Sequence, residues 1–289
     1  MKKVITLFIL LLTLSVGAQS QRFIYEYKFS IDSTARDVQE TEIMFLDVIP
    51  KGSKFYSKEV SESDSIWAAA MDMRVKRGIE TDLSKIKFKG KIHYSVEKSY
   101  PDYSVSFFNS LGIDMYMVEE RRKQKWKILP DKAKIGELTA QKAVCEFVGR
   151  KWIAWFTTEV LIQDGPYKFY GLPGLIVKLE DSSQTHSFEL KGIKKLPEGY
   201  EWKSSRKNKD GFDPLIKLNE TKYKQAFKDY CKDPMKSEKL MQAQSRDVLE
   251  IDDSGKLVKT SNAKRKDRET QLINQIKKEN NILELDLLK

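Results

Sequence analysis

The chain has 289 residues, 40% hydrophobic and 11% aromatic, which is enough for a real core and excludes an intrinsically disordered chain. Its 52 basic residues exceed 42 acidic ones for a net charge of +10, yet the charges interleave in stretches such as SSRKNKDGFD and NAKRKDRETQ. That mixing breaks up the continuous basic strip that tracks a nucleic-acid backbone, so no nucleic-acid partner is expected.

The first residues, MKKVITLFILLLTLSVGAQSQ, place Lys2 and Lys3 before an apolar run from Val4 to Val16 and the small residues Gly17 and Ala18. This is the layout of a secretory signal peptide over 1–18, and the run is shorter than the roughly 20 apolar residues of a membrane span. No cysteine follows it to carry a lipid anchor, and no later segment is apolar enough to be transmembrane. A mature chain from Gln19 would keep a net charge of 50 − 42 = +8 and work in the periplasm or outside the cell. The remainder reads as one β-rich domain over 19–246 and a charged extension over 247–289, helical or partly disordered.

In chain order, RFIYEYKFSID alternates Phe23, Tyr25, Tyr27 and Phe29 against Ile24, Glu26 and Lys28, the period-two signal of a half-buried strand. Similar runs follow at 42–48, 53–58, 91–98, 104–109, 114–121, 141–147, 151–158, 175–181 and 185–193, several separated by the turn signals PKGS, FKGK, SYPD and DGPY. So many short neighbouring strands predict an α+β fold dominated by a curled, half-barrel-like antiparallel sheet. Two helices pack on it. ESDSIWAAAMDMRVKRGI has a Ser or Asp available as N-cap before Ile66, and NETKYKQAFKDYCKDP puts Tyr223, Ala226, Phe227 and Tyr230 on one stripe between the cap Asn219 and the stop Pro234. The closing stretch 261–289 carries a thin Leu272, Ile273 and Ile276 stripe and reads as a surface helix or a frayed tail.

The segment DGPYKFYGLPGLIVKLED is the most structured-looking loop. Leu172-Pro173-Gly174-Leu175 fits a type II turn, in which Pro presets one φ and Gly supplies the positive one. Gly171 would permit close backbone approach, Asp164-Gly165-Pro166 makes a second turn, and Tyr167 and Phe169 share a face between the two. Nothing in Leu, Pro or Gly can transfer a proton or hold a charge.

These residues carry a resemblance. GLPGLI at 171–176, with the preceding DGPYKFY, resembles the hexapeptide that names the GLPGLI family. AVCEFVGRKWIAWFTTEV at 143–160 is similar to that family's strand pair, and NNILEL at 280–285 is similar to its Asn-Pro-Ile-Glu-Leu ending, with Ile282 where proline is usual. The resemblance implies an exported bacterial protein of a family without an established activity.

Chemistry is hard to place on this chain. The two histidines, His93 and His186, lie in strand-like runs. Cys145, a histidine and an acid such as Asp181 could form a nucleophilic arrangement, but no local motif joins them and no Gly-x-Ser-x-Gly elbow is present. Glu119 and Glu120, adjacent in a strand, point to opposite faces. The pairs Met71/Met73 and Met115/Met117 are better read as core filling than as copper(I) ligands. The two cysteines Cys145 and Cys231 are too few for a disulfide framework and favour thiols over a bridge.

The reading is therefore a non-catalytic envelope protein without cofactor or metal. It would bind an apolar ligand, a lipid or acyl group, in a curled-sheet cavity lined by Trp152, Trp155, Phe156, Tyr167, Phe169 and Leu172, with Gly171, Pro173 and Gly174 in a rigid rim. That comparison with envelope carriers rests on fold analogy. The alternative is a protein–protein interaction module of the envelope with no small-molecule ligand, and an exported hydrolase comes third.

Overall fold

Period-two alternation governs the architecture. The computed structural model describes residues 20–79, 81–206, 215–244, 249–252 and 255–289, and the expected signal peptide, 1–18, lies outside them. The chain is α+β. Its main sheet runs in the order β12-β6-β5-β4-β3-β2-β1-β11-β10-β9-β8-β7, built from β1 (Gln21–Phe29), β2 (Glu40–Ile49), β3 (Gly52–Ser57), β4 (Ser95–Ser99), β5 (Ser104–Leu111), β6 (Asp114–Glu120), β7 (Lys127–Ile135), β8 (Leu138–Phe147), β9 (Arg150–Thr157), β10 (Leu175–Asp181), β11 (His186–Lys195) and β12 (Ile216–Asn219). The pairings are antiparallel except for β12 beside β6, which is parallel.

The sheet curls without closing. Residues 121–126 alone carry the chain from β6, near one edge, to β7 at the other, and so short a link reaches roughly 25 Å at most. The inner face holds Phe23, Tyr25, Tyr27 and Phe29 of β1, Met44 and Leu46 of β2, Phe55 of β3 and Trp152, Ala154 and Phe156 of β9, all buried. Burying a side chain of this size contributes about 2 kcal/mol, so the alternation seen in β1 selects one register over its one-residue slip. On the outer face, residues 197–206 run as a strap. Tyr200 donates to Asp47 at 2.5 Å, Ser205 N to Glu97 at 2.7 Å and Arg206 to Ser106 at 2.7 Å.

Four helices accompany the sheet among the described residues: α1 (Lys58–Arg77), α2 (Glu220–Lys232), α3 (Lys236–Ala243) and α4 (Asn262–Lys278). α1 begins earlier than its sequence suggests, because Ser57, the last residue of β3, accepts from Val60 N and serves as the N-cap. α2 has its expected cap, Asn219 accepting from Lys222 N, and lays Tyr223 edge-on to Phe107 and Tyr116 on the inner side. β7, β12 and the small hairpin of β13 (Leu249–Ile251) and β14 (Leu257–Lys259) have no counterpart in the sequence reading. α4 is a surface helix with no buried residue. After it the chain returns to the domain, where Asn281, Leu283 and Glu284 are buried, so the stretch drawn as an extension from 247 ends inside the fold.

Candidate functional site

The concave side of the sheet is occupied by the loop that joins β9 to β10. Tyr167, Lys168, Phe169 and Leu172 are each at most 2% exposed. Phe169 meets Trp152 at 4.9 Å and Phe147 at 5.4 Å between ring centres, and Tyr167 meets Tyr94 at 5.2 Å. Five of the residues expected to line an apolar cavity, Trp152, Phe156, Tyr167, Phe169 and Leu172, are thus brought together and packed into one core. Trp155 is on the other face of β9, half-buried, with the Lys142 ammonium 5.8 Å from its ring centre.

The glycines explain how the loop enters and leaves. Gly174 has φ +151, and a Cβ there would stand 1.9 Å from the carbonyl oxygen of Thr157. The turn is tighter than the expected type II. Gly174 N donates to Leu172 O at 2.7 Å across Pro173, a three-residue γ-type closure. Gly171 needs its φ of +87 and has open space around the missing Cβ, so conformation rather than close approach selects glycine there. Gly171 and Pro173 are exposed, while Gly174 is buried.

A buried loop must satisfy its own backbone polar groups. Here side chains of the sheet, of the 121–126 link and of the loop itself do so. Lys98, on β4 and wholly buried, donates to the carbonyls of Gly165 at 2.8 Å and Phe169 at 3.1 Å and ion-pairs with Asp164. Asp164 also accepts from Ser53 at 2.5 Å, Tyr100 at 2.5 Å and Gly165 N at 2.6 Å. Tyr25 donates to Ile176 O at 2.7 Å and Trp126 to Tyr170 O at 2.8 Å. Burial pulls the Lys98 ammonium below its ordinary pKa, with Asp164 opposing, and burial pushes Tyr25 and Tyr100 well above theirs. The Lys98–Asp164 pair is a structural anchor: Lys98 uses its donors on the loop, and Asp164 ties the loop to Ser53 and Tyr100.

The loop also meets the closing segment. Glu284 accepts from Tyr167 and from Lys168, and Lys168 reaches Glu120 at 3.0 Å. Arg122 then bridges Glu120 at 2.7 Å, Glu284 at 3.3 Å and Asp286 at 2.5 Å. Burial would raise the Glu120 pKa, but Arg122 and Lys168 more than offset it and hold the carboxyl down at about 2. Beside this cluster lies a cleft of about 290 Å³ with Val118, Tyr223 and Leu287 as apolar wall and Arg122, Glu220, Lys224 and Asp286 among its charged groups. One oxygen of Asp286 is buried there without a hydrogen-bond partner. Sequence reasoning found none of Lys98, Asp164, Lys168 or Arg122 as a site residue. The only signal was a lysine, Lys168, at the centre of an otherwise apolar loop.

The remaining candidates fall apart or into structural roles. His186 pairs with Tyr27 OH at 2.7 Å through Nδ1 and lies 3.0 Å from Arg150 and from Asn281 O through Nε2. Burial and the neighbouring Arg150 outweigh Asp181 and lower its pKa to about 3, so it is neutral at pH 7. Asp181 accepts from the His186 backbone N–H and from Arg150. Cys145 and Cys231 are free thiols, one buried and one half-buried, and burial pushes the Cys145 thiol up to about 12, away from nucleophilic thiolate. His93 and Glu119 are exposed while Glu120 points inward, and Met115 is 41% exposed whereas Met117 is buried. Among the described residues no group of three or more His, Cys, Asp or Glu is arranged to hold a metal ion, and no helix is long and apolar enough to cross a membrane.

The model of a family described as "Protein of unknown function (Porph_ging)" matches residues 115–178, from β6 through the buried loop into β10. No curated protein matches the chain. Two solved structures, "Structure of PNGF-II in P21 space group" and "Structure of PNGF-II in C2 space group", are similar over 72% of this chain at 15% identity, with TM-scores of 0.46 and 0.48. The chain spans about a third of their length, 33% and 32%.

Proposed function

We propose that this chain is an exported, non-catalytic binding protein of the GLPGLI kind, and that its partner is a protein docking at the cleft between α2 and the closing segment. The observation that carries this reading is the loop itself. Tyr167, Phe169 and Leu172 occupy the concave side of the sheet, so an acyl chain could enter only by displacing a segment tied down by Lys98 and Asp164. The cleft, by contrast, is open at the surface and sets the apolar Val118, Tyr223 and Leu287 beside charges of both signs, Arg122, Lys168 and Lys224 against Glu220, Glu284 and Asp286, a mixture that suits a protein partner. Neutral His186 and the high-pKa Cys145 thiol argue against hydrolysis at these residues.

The test has two arms. A photo-crosslinking residue placed at Thr221 or Lys224 in the native envelope is expected to give one discrete adduct that the same residue at Lys132, on β7, does not give. Native mass spectrometry of the protein purified from that envelope is expected to show no lipid-like mass. A stoichiometric lipid adduct, lost in a folded Leu172→Asp variant, would overturn the reading in favour of an apolar-ligand carrier.

A further inference from the structure

The excursion between β3 and β4 consists of α1 and a return segment, 81–94, laid back along it. Ser63 Oγ accepts from Lys89 N at 2.9 Å, the Glu42 carboxylate accepts from Lys91 N at 2.7 Å, and a Cβ on Gly90 would stand 2.7 Å from the Val60 side chain. The return segment is thus pinned to α1 and to β2. Where it meets the helix, the Phe88 ring centre lies 5.6 Å from that of Trp67, yet Phe88 stays 59% exposed. On α1, Trp67, Met71 and Val75 recur every four residues and so stand in one row, the first two half-buried and Val75 exposed. Phe88 widens that row into an apolar ridge.

Cations surround the ridge. Lys87 and Lys89 flank Phe88 and are exposed, and neither side chain enters an ion pair among the described residues. Residues 66–91 hold seven basic side chains against Asp72, Glu80 and Asp82, and Asp72 and Asp82 are already paired with Lys76 and Lys85. The remaining acids of α1, Glu59, Glu62 and Asp64, lie in its first two turns. A convex row of apolar tips with cations on free four-carbon stems has no hollow to hold a folded partner. It suits the boundary of an anionic bilayer, where aromatic and aliphatic tips sink below the headgroups and lysines reach back to the phosphates.

We propose that this ridge docks the protein on a bilayer rich in anionic phospholipid, with Trp67, Met71, Val75 and Phe88 at the acyl boundary and Lys87 and Lys89 on the phosphates. The acidic first turns of α1 then face away from the charged surface. Each lipid stays in its bilayer, so none should accompany the purified protein. The inference rests on this excursion and stands apart from the proposed docking at the α2 cleft.

The test is flotation of the mature chain from Gln19 in about 0.1 M salt, with vesicles of equal parts phosphatidylglycerol and phosphatidylethanolamine and with vesicles of phosphatidylcholine. Binding to the anionic vesicles should exceed binding to the neutral ones about tenfold or more. A lysine near such a surface contributes about fivefold, so Lys87→Gln with Lys89→Gln should weaken binding by roughly tenfold or more. Phe88→Ser should weaken it about threefold or more, and Ile66→Ser, at an equally exposed side chain outside the row, should bind as the wild type does. Equal binding to the two kinds of vesicle, none included, overturns the proposal. So does a loss in the Lys87 and Lys89 variant no greater than in Lys264→Gln with Lys266→Gln on α4, or a loss in Ile66→Ser as large as in Phe88→Ser.

Discussion

The segment 164–176 and helix α1 are both excursions from the sheet, and they invert the usual association of regular structure with burial. α1 is a 20-residue helix, capped at both ends, that buries only Ser63 and Ala70. The loop contains little regular structure, yet Asp164, Tyr167, Lys168, Phe169 and Leu172 are buried in it. A helix satisfies its own backbone and can stand in water. A loop can enter a core only if side chains supply its hydrogen bonds, and Lys98, Tyr25 and Trp126 from outside the loop and Asp164 within it do so here. Position in the core is thus assigned by who satisfies the carbonyls.

That contrast can be broken by substitution. The largest effect is expected from Asp164→Ala, which leaves the buried Lys98 ammonium without its counter-charge and should cost roughly 4 kcal/mol in chemical denaturation. Gly174→Ala should cost about 3 kcal/mol through a forbidden φ and overlap with Thr157 O. Acid should act through two buried groups, His186 and Glu120. His186 has a folded pKa of about 3 against an ordinary 6.5, so its contribution is complete above pH 6.5 and is lost as pH falls from there toward 3. Glu120, at about 2 against 4.5, adds a second loss from pH 4.5 toward 2. Stability measured at pH 7 and pH 5.5 should therefore fall in the wild type and stay flatter in His186→Gln.

Smaller effects sharpen the comparison. Trp126→Phe removes the donor to Tyr170 O and should cost about 1 kcal/mol. Ile66→Ser on α1, at a side chain 57% exposed, should change stability by no more than about 0.5 kcal/mol. An Ile66→Ser cost comparable to Gly174→Ala would mean that α1 packs in solution against something that the isolated chain does not show.

The legible part of this fold is the part with a period. Phe23, Tyr25, Tyr27 and Phe29 announce β1 because a half-buried strand needs that alternation, and Asn219 and Pro234 bracket α2 for equally local reasons. β7 escaped notice because KILPDKAKI is exposed along most of its length and holds a proline, so no apolar face imposes a rhythm. The aromatic set around Phe169 was visible as a group, but whether it lines a cavity or fills one depends on where the loop lies, and that is decided by Lys98 and Asp164, 66 positions apart. The contact between Glu284 and Lys168 is longer still in sequence. Both ends of such a pair look like ordinary charged residues until the chain is folded.

The unclosed sheet leaves β7 as one rim, and that rim bears on how the protein behaves when crowded. An unpaired strand edge is a template for fibril-like stacking, and edges that resist it carry lysine and proline. Lys127, Lys132 and Lys134 with Pro130, which has no N–H to offer, equip this edge in that way. A neighbouring molecule meeting it would find like charge and a gap in the hydrogen-bond ladder, so concentrated solutions should stay free of cross-β aggregates as long as the fold persists.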